Sequence, residues 1–427
     1  MKKFRTTMIT LFLIFAVTSS ALANGLSLNS VGPRALGMGG AFVGLANDGS
    51  AIYWNPAGLA GQESAVMGYF TGVMPLATYK NDMNPSNVID ASANSKLYPT
   101  GGLFVNYKMD KWAFGLGVFV PAGLGVEWNA EDLYGSGAAS TELMSEIGAV
   151  SISPAIAYQI TEQFSLGVTV NIYYGMFDMA QPVLSPFGAD QFTESSTGTG
   201  VGFTIGAKYD FSEQFSAGVT FKTSTKVSMS GDATNTLFPK MPNNPPTMMP
   251  GPETSSFSRD VTWPMWIAGG IAYKPTCGLT ITFDAQYSQW SELEKLVAEY
   301  DDPYWKMVME GGGDNEFHLN WEDAIQIRLG GEYLVSKVSA VRLGYYYDPA
   351  PAPDETVNIL FPSSTNHVIT AGYGYNGEKI FVDFGIEYLL GAERDIPFDP
   401  TDPTKYEMPG KHKMDVFAFG IGIGYRF

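Results

Sequence analysis

The amino-acid sequence predicts an all-β transmembrane fold: a 14-stranded antiparallel outer-membrane β-barrel with a small N-terminal hatch, or plug, inside the lumen. Three observations predict it. The chain ends in HKMDVFAFGIGIGYRF, which puts Phe417, Phe419, Ile421, Ile423, Tyr425 and the terminal Phe427 on one strand face, with mostly small residues between them. Side chains alternate across a strand, so an unbroken apolar face opposite a Gly/Ala-rich one suits lipid outside and a filled or wet lumen inside. The chain starts like an exported protein, yet no later stretch approaches the roughly 20 consecutive apolar residues that a spanning helix needs. The connections between alternating segments are themselves alternately short and long, as periplasmic turns and outer loops are in such barrels.

Residues 1–23 read as a signal peptide, with Lys2, Lys3 and Arg5 ahead of an apolar run from Met8 to Val17 and Ala21-Leu22-Ala23 as a small-x-small cleavage site. The mature chain then begins at Asn24. Residues 24–62 lack strand alternation and are rich in Gly and Ala. Their low charge and close glycine spacing suit packing against a wall, which favours a plug over a periplasmic extension.

Residues 63–427 form the barrel. Period-two patterning and turn residues place strands near 64–75, 100–109, 112–121, 146–160, 164–178, 200–210, 214–230, 258–274, 278–290, 322–335, 338–348, 365–376, 379–391 and 412–427. The long connections fall near 76–99, 122–145, 179–199, 231–257, 291–321, 349–364 and 392–411.

Composition agrees with this reading. The chain has 48 Gly, 14% aromatic and only 16% charged residues, and its mean hydropathy is −0.01, because lipid-facing and lumen-facing positions cancel in any average. The formal charge of −18 excludes nucleic acid as a natural partner. Cys277 is the single cysteine, so no intramolecular disulfide forms, and His318, His367 and His412 have no metal-ligand spacing; no metal or cofactor is expected.

Within the strands the faces separate by chemistry. In 379–391, Ile380, Val382, Phe384, Ile386, Tyr388 and Leu390 alternate with a face that carries Asp383 and Glu387. The charged face points inward, since a lipid-facing base near the midplane costs roughly 2–4 kcal/mol and an acid somewhat less. The same parity turns Asp284, Arg328, Glu332, Arg342 and Asp348 into the lumen, where opposite charges pair and hold wall and plug together.

Short motifs then carry a resemblance. The plug contains Gly32-Pro33-Arg34-Ala35-Leu36-Gly37-Met38-Gly39-Gly40-Ala41, later Ala46-Asn47-Asp48-Gly49-Ser50-Ala51, and an Asn-Pro-Ala step at Asn55, Pro56 and Ala57. Farther on come Trp290-Ser291 and a block from Trp321 to Tyr375 that includes Tyr347-Asp348-Pro349. In this order the set resembles the FadL-type family of outer-membrane transporters for long-chain fatty acids and aromatic hydrocarbons, over nearly the whole mature chain. The resemblance implies a monomeric barrel stoppered by the hatch, set among outer-membrane lipids and lipopolysaccharide. It also implies capture of hydrophobic cargo at extracellular loops, a deeper lumenal site, and sideways exit where the third strand kinks inward. Fatty acids are the cargo expected first; an aromatic-hydrocarbon channel of the same family and a general diffusion porin are the alternatives.

The third strand, WAFGLGVFVPAGLGVEW, carries Pro121 among Gly115, Gly117, Gly123 and Gly125. Proline cannot donate to the ladder and glycine lets a strand bend, so the lateral opening is placed at Gly117, Pro121 and Gly123; the other reading is that Pro121 merely ends the strand at the outer rim. For the head group of an amphipathic acid the lumenal cations Arg328 and Arg342 are the candidates, with Lys222 behind them. The resemblance adds the mature amino group at Asn24. Leu237, Phe238, Met241, Met248 and Met249 lie in a Met/Pro-rich loop suited to adaptable capture of apolar shapes. No catalytic residues are assigned: an outer-membrane lipase would need a Ser/His pair, and no Gly-x-Ser-x-Gly elbow accompanies His367.

Overall fold

The structure is a computed structural model that describes residues 25–29, 31–83, 88–186, 188–242 and 249–427. The signal segment, Asn24 and Met248 lie outside the described residues. The wall is built from β1 (Ala65–Asn81), β2 (Tyr98–Met109), β3 (Trp112–Asn129), β4 (Glu142–Gln159), β5 (Phe164–Ser185) and β6 (Gly188–Asp210). It continues through β7 (Phe215–Lys222 and Thr225–Asn235), β8 (Thr254–Trp263 and Trp266–Thr276), β9 (Leu279–Ser288) and β10 (Ala324–Leu334). The last four are β11 (Ser339–Asp348), β12 (Asn366–Asn376), β13 (Ile380–Gly391) and β14 (Gly410–Arg426).

Successive strands pair antiparallel, and β1 closes onto β14 in one register from Ala65↔Arg426 to Lys80↔Lys411. Closure satisfies the edge backbone groups that lipid could not. Among the described residues no helix is long and apolar enough to cross a membrane. The alternation read from the sequence is present: Ile421, Ile423 and Tyr425 are exposed on the outer face, while Met414, Val416 and Ala418 are buried.

The barrel is taller on its outer side than alternation alone suggests. The region 179–199, expected as a long loop, is strand: β5 and β6 run 22 and 23 residues and pair as far as Ser185↔Gly188. At the usual rise each extends about 70 Å, more than twice the roughly 30 Å of a hydrocarbon core, so the hairpin tip stands clear of the membrane. Polar residues such as Thr193, Glu194 and Ser195 replace the apolar alternation there because no lipid faces them. Likewise β1 continues to Asn81 and β4 starts at Glu142. Pro121 does not end its strand either, since β3 continues to Asn129. β7 and β8 are each interrupted at one level, at Thr223-Ser224 and Pro264-Met265.

Residues 31–62 fold as α1 (Pro33–Gly37), α2 (Ala51–Trp54) and a 3-10 turn (Pro56–Gly61), and most of their side chains are fully buried. Pro33 suits the first turn of α1, where no intrahelical donor is needed. The segment lies against the small-residue inner faces of the strands. A methyl added to Gly37 would sit 3.0 Å from Gly372 Cα, and one added to Gly44 would sit 2.6 Å from the carbonyl carbon of Gly270. Glycine on both partners is what permits backbone to lie on backbone here. The connection between β11 and β12 also reaches inward: Trp128 Nε1 donates to Ile359 O (3.0 Å), and Phe361 stacks on Phe177 at 6.2 Å.

Candidate functional site

The wall parts between β2 and β3. The ladder between β2 and β3 runs from Met109↔Trp112 to Gly102↔Phe119 and stops. Above that point β2 stays with β1, through Phe70↔Gly101 to Val73↔Tyr98, while β3 stays with β4 as far as Asn129↔Glu142. The β3–β4 register shifts between Phe119 and Ala122, which places a bulge at Val120 and Pro121. An extra residue bends a strand and increases its twist, and Pro121 has no donor to lose.

The chain amino-terminal to the hatch helices occupies the edge that β3 no longer offers to β2. Ser27 bridges Ala122, Leu28 N donates to Pro121 O (3.0 Å), and Gly123 N donates to Leu26 O (2.8 Å). Higher up, Ala93 bridges Trp128 and Asn94 N donates to Glu127 O (2.7 Å). The parting is thus framed below by Gly102 and Phe119 and above by Ala93 and Trp128. Of the residues assigned to a lateral opening, Pro121 and Gly123 lie on this frame, and Gly117 lies below it within the intact ladder.

The Asn-Pro-Ala step anchors the hatch. Asn55 is fully buried; its Nδ2 donates to Val43 O (3.0 Å) and Ala207 O (3.1 Å), and its Oδ1 accepts from Ala57 N (3.2 Å). One side chain thereby ties two hatch turns to β6. Pro56 and Ala57 open the 3-10 turn, and the Ser165 hydroxyl donates to Ala57 O at 2.9 Å.

The three candidate cations separate by their partners. Arg342 is engaged by two carboxylates, Glu332 at 2.7 Å and Asp383 at 2.7 Å. Glu332 also receives Arg34 of the hatch, so a four-residue network joins plug to wall. Arg328 donates to Asn29 Oδ1 (2.6 Å) and to Gln326, and its guanidinium lies over Trp54 and Tyr346 at 5.4 and 5.3 Å. Lys222, only 8% exposed, has neither an ion pair nor a hydrogen bond among the described residues. Its ammonium instead faces Tyr53, Tyr173 and Trp266, at 4.8, 5.5 and 5.9 Å from their ring centroids. Tyr53 in turn lies 5.8 Å, edge-on, from Phe119 at the foot of the parting.

Other features escaped the sequence reading. Arg259 and Glu194 form a buried ion pair at 2.8 Å, and Tyr300 donates to the same carboxylate at 2.8 Å. Parity within 258–274 was the signal that could have turned Arg259 inward. Of the loop residues proposed for capture, Leu237 and Phe238 are buried, Phe238 packing on Tyr304 and Trp305 at 5.2 and 4.8 Å. Met241 is half-buried and Met249 exposed. Among the described residues no group of three or more His, Cys, Asp or Glu is placed to hold a metal ion.

Comparison with known proteins agrees with the architecture. Residues 14–427 match the family described as outer membrane protein transport protein (OMPP1/FadL/TodX). The long-chain fatty acid transport protein of Escherichia coli O6:H1 is 22% identical, with 96% of each chain covered, and outer membrane protein P1 of Haemophilus influenzae is 21% identical over all of both chains. Among solved structures, a Pseudomonas aeruginosa FadL homologue superposes with a TM-score of 0.77 at 18% identity, covering 94% of this chain and 100% of the other. The Pseudomonas putida toluene transporter TodX superposes at 0.71 and 15% identity, covering 96% and 99%. The chain therefore belongs to the FadL/TodX family of outer-membrane transport proteins, barrels that handle hydrophobic compounds.

Proposed function

We propose that this protein takes up long-chain fatty acids by passive transport and releases them sideways, through the parting of β2 and β3, into the outer membrane. The observation that carries this reading is the ladder that ends at Gly102↔Phe119 while both strands continue with their other neighbours. An apolar cargo gains nothing from a watery bore: each methylene kept out of water is worth about 0.8 kcal/mol, so a ten-carbon chain resists aqueous passage by about 8 kcal/mol. A route that opens onto lipid avoids that cost. Residues 24–62 act as the stopper that closes the axial path.

Cargo with a carboxylate is favoured over a neutral hydrocarbon by Lys222. A buried ammonium with only aromatic faces around it is incompletely satisfied, and an anion is the group that completes it. Arg342 is held by two carboxylates and Arg328 by Asn29 and Gln326 through Nη2, with its Nε and Nη1 unpaired; Lys222 has no hydrogen-bond partner at all among the described residues and is the candidate assigned the head-group role. Tyr53 spans from that ammonium to Phe119, which puts the acyl chain within reach of the exit.

The test is uptake of radiolabelled dodecanoate by cells that lack their own such transporter. Gly123→Trp should abolish uptake while the purified barrel keeps its heat-modifiable migration. Normal uptake by that variant would overturn lateral release.

A further inference from the structure

The bulge at Val120-Pro121 does more than bend β3. Below it Ala113, Phe119 and the other odd-numbered positions face the lumen; above it the register to β4 pairs Ala122 with Ala149 and Leu124 with Ile147, so the even-numbered positions Ala122, Leu124, Val126 and Trp128 now face inward. Gly123, Gly125 and Glu127 consequently face outward, toward β2. On β2 the even-numbered residues Tyr98, Thr100 and Phe104 point inward. An inward-pointing side chain on β2 therefore meets the outward-pointing face of β3.

The side chain that does so is Tyr98. A methyl added to Gly125 would lie 2.6 Å from the Tyr98 ring, so the ring packs directly against that glycine. Tyr98 is 1% exposed, and its hydroxyl has no hydrogen-bond partner among the described residues. A buried hydroxyl left unpaired is destabilising, which makes the seat easier to leave than a fully satisfied one. Just above, Lys96 spans from β2's side to Glu146 (2.6 Å) and Glu127 (3.3 Å), with its ammonium 5.2 Å from the Tyr98 ring.

We propose that Tyr98 is the shutter of the wall opening, a specificity-determining side chain whose ring fills the gap between β2 and β3 over Gly125 and must swing away for cargo to pass. Lys96, with Glu127 and Glu146, is the positioning group that holds the ring in place. This rests on the lateral-release reading above. The width left when the ring moves sets the bulk of the apolar cargo that passes, so residue 98 selects by girth and not by head-group charge.

The experiment compares two probes in the same cells: dodecanoate, which is slim, and 12-(1-pyrenyl)dodecanoate, which carries a bulky end. Tyr98→Ala should raise pyrenyl-dodecanoate uptake severalfold with a smaller gain for dodecanoate. Gly125→Leu should lower uptake of both because the added side chain itself occupies the space beneath the ring, and Tyr98→Phe should lower uptake of both because loss of the unpaired hydroxyl seats the ring more firmly. Heat-modifiable migration of each variant establishes that the barrel is folded. If Tyr98→Ala leaves the ratio of the two rates unchanged while Gly123→Trp still blocks uptake, the shutter is overturned and lateral release stands. If Gly123→Trp transports normally, both fall together.

Discussion

Arg34 of the hatch grips Glu332 of β10 with two hydrogen bonds, Nε to Oε2 and Nη2 to Oε1, each 2.9 Å. Glu332 also accepts from Arg342 Nε at 2.7 Å, so this carboxylate joins a hatch helix to two neighbouring strands.

Removing Glu332 should hurt more than removing Arg34. Glu332→Gln leaves Arg34 without a carboxylate and Arg342 with Asp383 alone, whereas Arg34→Ala leaves Glu332 still paired with Arg342. Breaking a buried pair from one side costs about 3–5 kcal/mol, so Glu332→Gln should free the hatch detectably. Single-channel recording in planar bilayers is the measurement: wild type should conduct little, Arg34→Ala should show brief openings, and Glu332→Gln longer ones. Equal conductance in all three would refute the clamp.

Gly206 and Asn55 should behave as one unit. A methyl on Gly206 would collide with Asn55 Oδ1, so Gly206→Ala should displace the same side chain that Asn55→Ala deletes. Each loses buried hydrogen bonds worth about 1–3 kcal/mol in all, and the double variant should be no worse than either single one. Protection of the Ala57 amide from hydrogen exchange reports the effect directly.

Lys222→Met should weaken fatty-acid binding by roughly tenfold to a hundredfold, the worth of a lost charge-assisted hydrogen bond of about 1.5–3 kcal/mol, and should leave toluene binding unchanged. Arg342→Met should instead lower hatch stability, because that guanidinium is occupied by Glu332 and Asp383. Equilibrium binding to detergent-solubilised protein separates the two outcomes. Loss of toluene binding in the lysine variant would show that the side chain shapes the cavity and does not read charge.

Asp323 should give the loop between β9 and β10 an acid-sensitive anchor. Burial alone would raise this carboxyl, but the donated hydrogen bonds of Tyr287 (2.5 Å) and Ser291 N (3.1 Å) outweigh it and hold the group below the usual carboxylate range. A lowered acid contributes its stability above its unfolded value of about 3.9 and loses it as pH falls through the folded one. The Ser291 amide should therefore stay protected from exchange at pH 5 and lose protection progressively below about pH 4, as pH falls from the free carboxyl's range toward the lowered folded value. Asp323→Asn should remove that step.

Much of the barrel was legible because membrane solvent imposes a binary rule. Leu329 and Arg328 are neighbours in sequence, yet one is 48% exposed and the other 2%, as period-two parity required. The rule fails where lipid ends. Beyond the membrane, Thr193 to Ser196 are strand without any apolar face, so β5 and β6 looked like loop. It also fails at a bulge, because one inserted residue inverts the parity that every later position depends on. That is why Pro121 was legible as a disturbance, while the reversal that brings Tyr98 onto Gly125 was not. Site chemistry was least legible: parity put Arg328, Arg342 and Lys222 in the lumen alike, and only their neighbours on other strands distinguish them.

The inverted half of β3 gives this wall a division of labour within a single strand. Its lower storey is ordinary masonry, tied on both sides and answerable to closure. Its upper storey is laddered to β4 on one side and held on the other only by short bridges from residues 26–28 and 93–94, with Gly123 and Gly125 facing outward and Leu124, Val126 and Trp128 toward the interior. Substitutions there would change the width of the parting without loosening the cylinder.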